Sequence, residues 1–181
     1  MRCRHFSILS LSLIWLLAGS FAHAQQPQPT EYQIKAAFLY NFGRFVEWPK
    51  SAFATPTSPL VIGILGEDPF RDNLTRTISN KSVDTHPVVT KEFRSAADAT
   101  NCHLLFISTS EKKKLPEILQ SLKGTSVLTV GETDRFIETG GMINFVLEGT
   151  KIRFQINNDA AASAGLKISA KLMTLASRTG G

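Results

Sequence analysis

Few residues in this chain have types and spacing suited to chemistry. Cys102 and His103 come nearest to a nucleophile–base pair. They are neighbours in an apolar run, and neighbours on a strand point to opposite faces, so neither can activate the other. A buried, inert thiol is the reading that the run supports. His86, followed by Pro87, falls at a strand start and is read as a surface imidazole. Gly63-Ile-Leu-Gly66 lies between an apolar run and a predicted helix, the setting of a phosphate-cradling turn. The third glycine of that fingerprint is missing, and Glu67 and Asp68 put two negative charges where phosphate would sit. A turn closing a buried strand accounts for both glycines; a small-molecule receptor or enzyme using the turn at 63–66 is the alternative. Glu132, Asp134 and Glu138 gather carboxylates without an acid–base partner, so capping and turn roles suffice. Lys112-Lys113-Lys114 opens a predicted helix and reads as a solvated face, or else as a patch for anionic lipid. No Walker loop, zinc-spaced ligand set or nucleophile elbow occurs. No catalytic residue, cofactor or metal site is assigned.

What must position these residues is a chain of 181 residues with 20 Lys and Arg against 15 Asp and Glu. Arg2 and Arg4 precede an apolar run from Phe6 to Ala18, and Ala22-His23-Ala24 has small residues at both cleavage-defining positions. Residues 1–24 therefore read as a secretory signal peptide, too short in its apolar part to span a bilayer. Removing it takes two arginines and no acid, which lowers the net charge from +5 to +3. Export argues against a cytosolic enzyme, and so small an excess of positive charge gives little support to a nucleic-acid binder. Cys3 leaves with the leader, so Cys102 has no partner for an internal disulfide.

Residues 25–30 form a polar, Pro-containing arm predicted to be disordered. From Glu31 to Trp48, Ile34, Ala37, Phe38, Phe42 and Phe45 follow helical spacing, with Glu31, Lys35 and Asn41 on other faces, Thr30 as N-cap and Pro49 as stop. Leu60–Leu65 is a continuous apolar run, as in a strand buried on both faces. Asp68 and Pro69 then mark a helix start, with the helix over Phe70–Ser79. Strands are predicted at His86–Glu92, His103–Ile107 and Ser126–Val130, with a helix at Glu111–Leu122 stopped by Gly124. Met142–Leu147 and Lys151–Asn157 flank Glu148-Gly149-Thr150 as a hairpin, with Ile152, Phe154 and Ile156 inward and Lys151, Arg153 and Gln155 outward. Ala160–Ala164 and a segment capped by Ser169 and carrying Leu172, Met173 and Leu175 are two short helices split at Gly165. The sum is one α/β domain over 31–179, in three layers. It has a mainly parallel sheet of about six strands, helices on both faces and an antiparallel C-terminal hairpin. The exposed apolar surfaces left for binding are that hairpin and Leu166-Lys167-Ile168, unless the last helix covers them.

Four segments, taken together, resemble the YfiR family of periplasmic regulators. They are residues 31–49, the Ile62–Phe70 turn, Cys102–Ile107, and residues 140–175 with Arg153-Phe-Gln-Ile-Asn157 and Ala164-Gly-Leu-Lys-Ile-Ser169. The resemblance implies a non-enzymatic role in the periplasm: binding and repressing the sensor part of an inner-membrane diguanylate cyclase, which lowers cyclic-di-GMP signalling and biofilm growth. It implies relief by an outer-membrane, peptidoglycan-associated lipoprotein, and homodimers are known in the family. Partner contact is carried over to Arg153, Gln155, Asn157, Leu166 and Lys167. The disulfides of the best-studied type of member are not, because only Cys102 remains after export.

Overall fold

The computed structural model describes residues 29–176, so the signal peptide, residues 25–28 of the arm and residues 177–179 of the domain lie outside the described residues. Helix α1 (Glu31–Phe45) opens with reciprocal capping. Thr30 Oγ1 accepts the Gln33 N–H, and Gln33 Oε1 accepts the Thr30 N–H. The helix stops short of the predicted Trp48. Val46–Glu47 leaves it as strand β1 and pairs antiparallel with the later strand β9 (Lys167–Ile168), Val46 facing Ile168 and Glu47 facing Lys167.

Strands β2 (Leu60–Leu65), β3 (Ser82–Val83), β4 (His86–Phe93), β5 (Leu104–Ile107), β6 (Leu128–Gly131), β7 (Ile143–Glu148) and β8 (Lys151–Ile156) form one sheet in the order β3-β4-β2-β5-β6-β7-β8. The five central strands are parallel, while β3 and β8 run antiparallel at the two edges. The main sheet thus has seven strands where six were expected, the addition being β3, and β1 with β9 forms a second, two-stranded sheet; these three strands have two residues each, too few for a period to show.

Helices α2 (Asp72–Ile78), α4 (Asn158–Ser163) and α5 (Ala170–Leu175) lie with α1 on the first face. There Leu39 and Phe42 of α1, Leu74 of α2 and Leu172 of α5 close over Ile62, Leu104, Leu128 and Phe154. On the second face Leu115, Ile118 and Leu119 of α3 (Leu115–Ser121), with Phe136 from the loop after β6, cover Leu105, Ile107 and Cys102. Both faces of β5 are therefore buried, which is why Leu104–Ile107 is apolar at every position.

Two helix starts differ from expectation. Asp68 Oδ1 accepts the Phe70 N–H at 2.7 Å within a turn, and α2 begins only at Asp72. Phe70 is drawn into the core edge-on to Phe106, with ring centroids 4.8 Å apart, and that packing delays the helix. The predicted Glu111–Leu122 helix divides into a 3₁₀ turn over Thr109–Lys114 and α3. Pro116 lacks an N–H and is tolerated only in the first turn of an α-helix, which fixes the start of α3.

Candidate functional site

The hairpin β7–β8 is held from one side only. Phe154, 2% exposed, meets the rings of Phe38 and Phe42 edge-on at 5.4 and 5.1 Å, while Ile152 and Ile156 pack against the same core. Phe145 on β7 adds a stacked contact to Phe42 at 5.7 Å. With the odd-numbered positions of β8 turned the other way, Arg153 is exposed and Gln155 half-buried. The second core contains no residue of β7 or β8. Arg153 faces Val146 across the ladder, Gln155 faces Asn144, and Arg153 Nε lies 3.7 Å from Glu148 Oε2. Asn144 alternates with the core residues Ile143 and Phe145, which turns it to the Arg153 side. It is 5% exposed, and its Oδ1 makes no hydrogen bond among the described residues.

The other residues predicted to meet a partner fall elsewhere. Asn157 caps α4: its Oδ1 accepts the Ala160 N–H at 3.0 Å and its Nδ2 donates to the Ile137 carbonyl at 3.4 Å. Leu166 is 2% exposed in the first core, where it presents no surface to a partner. Lys167 is exposed on β9, opposite Glu47 in the two-stranded ladder and separate from the main sheet. Of the five positions, the structure brings together Arg153 and Gln155.

Sequence reading missed a buried charge network. Lys35, expected on a solvated face of α1, is 5% exposed; it pairs with Glu31 and, at 2.6 Å, with Glu132 just after β6. Tyr32 donates its hydroxyl proton to the other oxygen of Glu132 at 3.3 Å. Burial pulls the Lys35 ammonium toward neutrality, but its bonds to Glu132 and Glu31 outweigh that and hold its pKa above the ordinary lysine value. Burial and the Glu132 charge push the Tyr32 hydroxyl up. The Glu31–Lys35 spacing of four was the one visible signal of this network. It ties α1 to the loop after β6 and touches no open cleft.

The residues weighed for catalysis are structural. Cys102 is buried, and desolvation pushes its thiol up to about 12. His103 Nδ1 accepts the Val61 N–H at 3.1 Å and Nε2 faces the Ala52 carbonyl at 3.1 Å, which fixes the neutral Nε2–H tautomer. His86, read as a surface residue, is half-buried in a stack, with Phe53 between its ring and that of His103 at 3.8 and 4.3 Å. Lys112 and Lys114 are solvated and paired with Asp134 and Glu111 at 3.2 and 3.5 Å.

In sequence order the parallel strands run 2-1-3-4-5, and the reversal of direction lies between β2 and β5, where such sheets often bind ligands. Here that position is filled by the protein itself. A Cβ on Gly63 would come 2.6 Å from Phe93 Cε2, and one on Gly66 would come 2.4 Å from Ser110 Oγ. Ser110 Oγ also accepts the Glu67 N–H at 3.0 Å. Among the described residues no three His, Cys, Asp or Glu are grouped to hold a metal ion, and no helix is long and apolar enough to cross a membrane.

The fold is a doubly wound α/β module. The chain belongs to the YfiR/HmsC-like family, whose sequence profile matches residues 32–177. That family comprises periplasmic regulators of diguanylate cyclase signalling rather than enzymes. Two solved structures share the fold. One is a conserved domain protein of Vibrio cholerae O1 biovar El Tor, 10% identical over 82% of this chain, with a TM-score of 0.56. The other is the ABC domain in complex with L-Trp from Streptococcus pneumoniae, 14% identical over 78% of this chain, with a TM-score of 0.55. The match covers 60% and 59% of those chains respectively.

Proposed function

We propose that this protein binds the periplasmic sensor part of an inner-membrane diguanylate cyclase through the outer face of β8 and holds the cyclase inactive. The observation that carries this reading is the one-sided hairpin. Phe154 anchors it to α1, while on the opposite face of β8 Arg153 is exposed and Gln155 half-buried. Lys167 belongs to the β1–β9 ladder and makes a second, separate contact; Asn157 and Leu166 act by holding α4 and β9 in place. An outer-membrane, peptidoglycan-associated lipoprotein that competes for the same protein would relieve repression, and a homodimer is the state in which the regulator waits.

Arg153→Glu tests this. In cells carrying the cyclase it should raise cyclic-di-GMP, and the purified variant should lose binding to the cyclase's periplasmic domain. Its melting temperature should stay unchanged, since surface substitutions of this kind move stability by no more than about 0.5 kcal/mol. A folded variant that represses normally would remove Arg153 from the contact.

A further inference from the structure

A second surface of the molecule has the features of a small-molecule site, and it is distinct from both the hairpin face and the switch point. Between α3 and α4 lies an open cleft of about 460 Å³, within the roughly 300–1,000 Å³ usual for such sites. Its walls are Leu119 and Val127 on one side and Met142, Ala160 and Ala164 on the other. Gly124 and Gly140 also border it, and a Cβ built on either would meet nothing within 4 Å, so the space beside them is open.

Five polar residues line the cleft: Gln120, Lys123, Thr139 and Ser163 are exposed, the Thr139 and Ser163 hydroxyls donating to the Arg135 and Asp159 carbonyls at 2.7 and 2.8 Å, and Thr129 is buried. Thr129, 2% exposed, accepts the Met142 N–H at 3.1 Å through Oγ1. Its own hydroxyl proton has no acceptor among the described residues, which leaves a buried donor lining the cleft. Lys123 also lines the cleft, as an exposed residue, and its ammonium is in no ion pair among the described residues. No carboxylate lines the cleft, so its charge is unopposed.

We propose that this cleft binds a small apolar oxo- or hydroxy-acid. The hydrocarbon body lies against Leu119, Val127 and Met142, an oxygen on the chain accepts the Thr129 proton, and the carboxylate pairs with Lys123. An apolar body is required because the walls offer it no other polar partner at depth. A carboxylate is required because the charged residue lining the cleft, Lys123, is positive. The site does not depend on the regulator reading.

Isothermal titration of the exported protein with 4-oxo-4-phenylbutyrate tests the assignment. Saturable binding at one site is expected. The plain acid, 4-phenylbutyrate, should bind about three- to tenfold more weakly, the usual worth of one hydrogen bond. The primary amide of the oxo-acid should bind about three- to fivefold more weakly, as for an exposed ion pair. Lys123→Glu should remove the preference for acid over amide, and Ala160→Leu should fill the cleft and abolish binding. Lys123 is on the surface, so its variant reports even where Ala160→Leu disturbs folding. Absence of saturable binding at millimolar acid, equal affinity for acid and amide, or an isotherm unchanged in Lys123→Glu would overturn the proposal.

Discussion

Breaking the Lys35–Glu132 pair should cost far more than replacing it. Both side chains are 6% exposed and their charged atoms lie 2.6 Å apart, so neither ion can fall back on water when its partner is removed. Losing one member of such a pair typically costs about 3–5 kcal/mol, whereas exchanging both for apolar residues of like volume is often neutral. The two single variants should differ. Glu132→Gln leaves Lys35 with Glu31, whose side chain is 49% exposed, and keeps an acceptor for Tyr32; its cost belongs at the low end of that range. Lys35→Met leaves the Glu132 carboxylate buried with only the Tyr32 hydroxyl, and belongs at the high end. The double variant Lys35→Met with Glu132→Leu removes both ions and orphans only the Tyr32 hydroxyl, which is half-exposed and can turn to solvent. Urea unfolding of the four proteins at pH 7 gives the coupling directly. With the single variants near the two ends of that range and the double near neutral, the expected coupling exceeds about 3 kcal/mol, the top of the usual range for residues in contact. At this chain length 3 kcal/mol corresponds to a melting-temperature drop of about 6–12 °C for a single variant. Additivity within about 0.5 kcal/mol would refute the reasoning, because it would mean that each ion is solvated independently of the other.

Acid should weaken the fold through His103. Burial holds its pKa below the ordinary 6.5, with the Ala52 carbonyl opposing that and His86 adding to it. The unfolded chain thus binds the proton first, so stability is full above pH 6.5 and is lost as pH falls toward the folded pKa; the urea midpoint should drop between pH 7.5 and 5.5, and less so in His103→Gln. Gly141→Ala should destabilise by about 1–3 kcal/mol, since its Cβ would lie 2.1 Å from the Phe136 ring that is wedged between Gly131 and Gly141; a melting curve matching the parent protein would show that the loop yields freely. Cys102 should resist iodoacetamide at pH 8 until denaturant is added, given a thiol pushed up to about 12, and rapid labelling of the folded protein would contradict its burial.

Several elements were legible because their signals are local. The Thr30 N-cap, the apolar strands at 60–65 and 104–107 and the alternation of β8 each need only a few adjacent residues, and each stands within a residue of where it was expected. Gly66 closes β2 in a turn as expected, whereas Gly63 lies inside the strand, and their close approach to Ser110 and Phe93 depends on residues far along the chain. The five site positions were harder. Alternation put Arg153 and Gln155 outward, but nothing local separates Leu166 from Lys167 as core and surface, because a two-residue strand has no period of its own. What settles them is the pairing of β9 with β1, more than a hundred residues earlier in the chain.

By itself, then, the sequence determined the class of the domain, most of its strands and its outward-facing hairpin residue Arg153. Those are properties of short windows, set by side-chain period, capping and turn chemistry. The tertiary structure alone decided the charge network that buries Lys35, the inward placement of Leu166, the early end of α1 and the cleft between α3 and α4. Each of these is a contact between segments distant in sequence, for which burial, desolvation and strand pairing outweigh local preference.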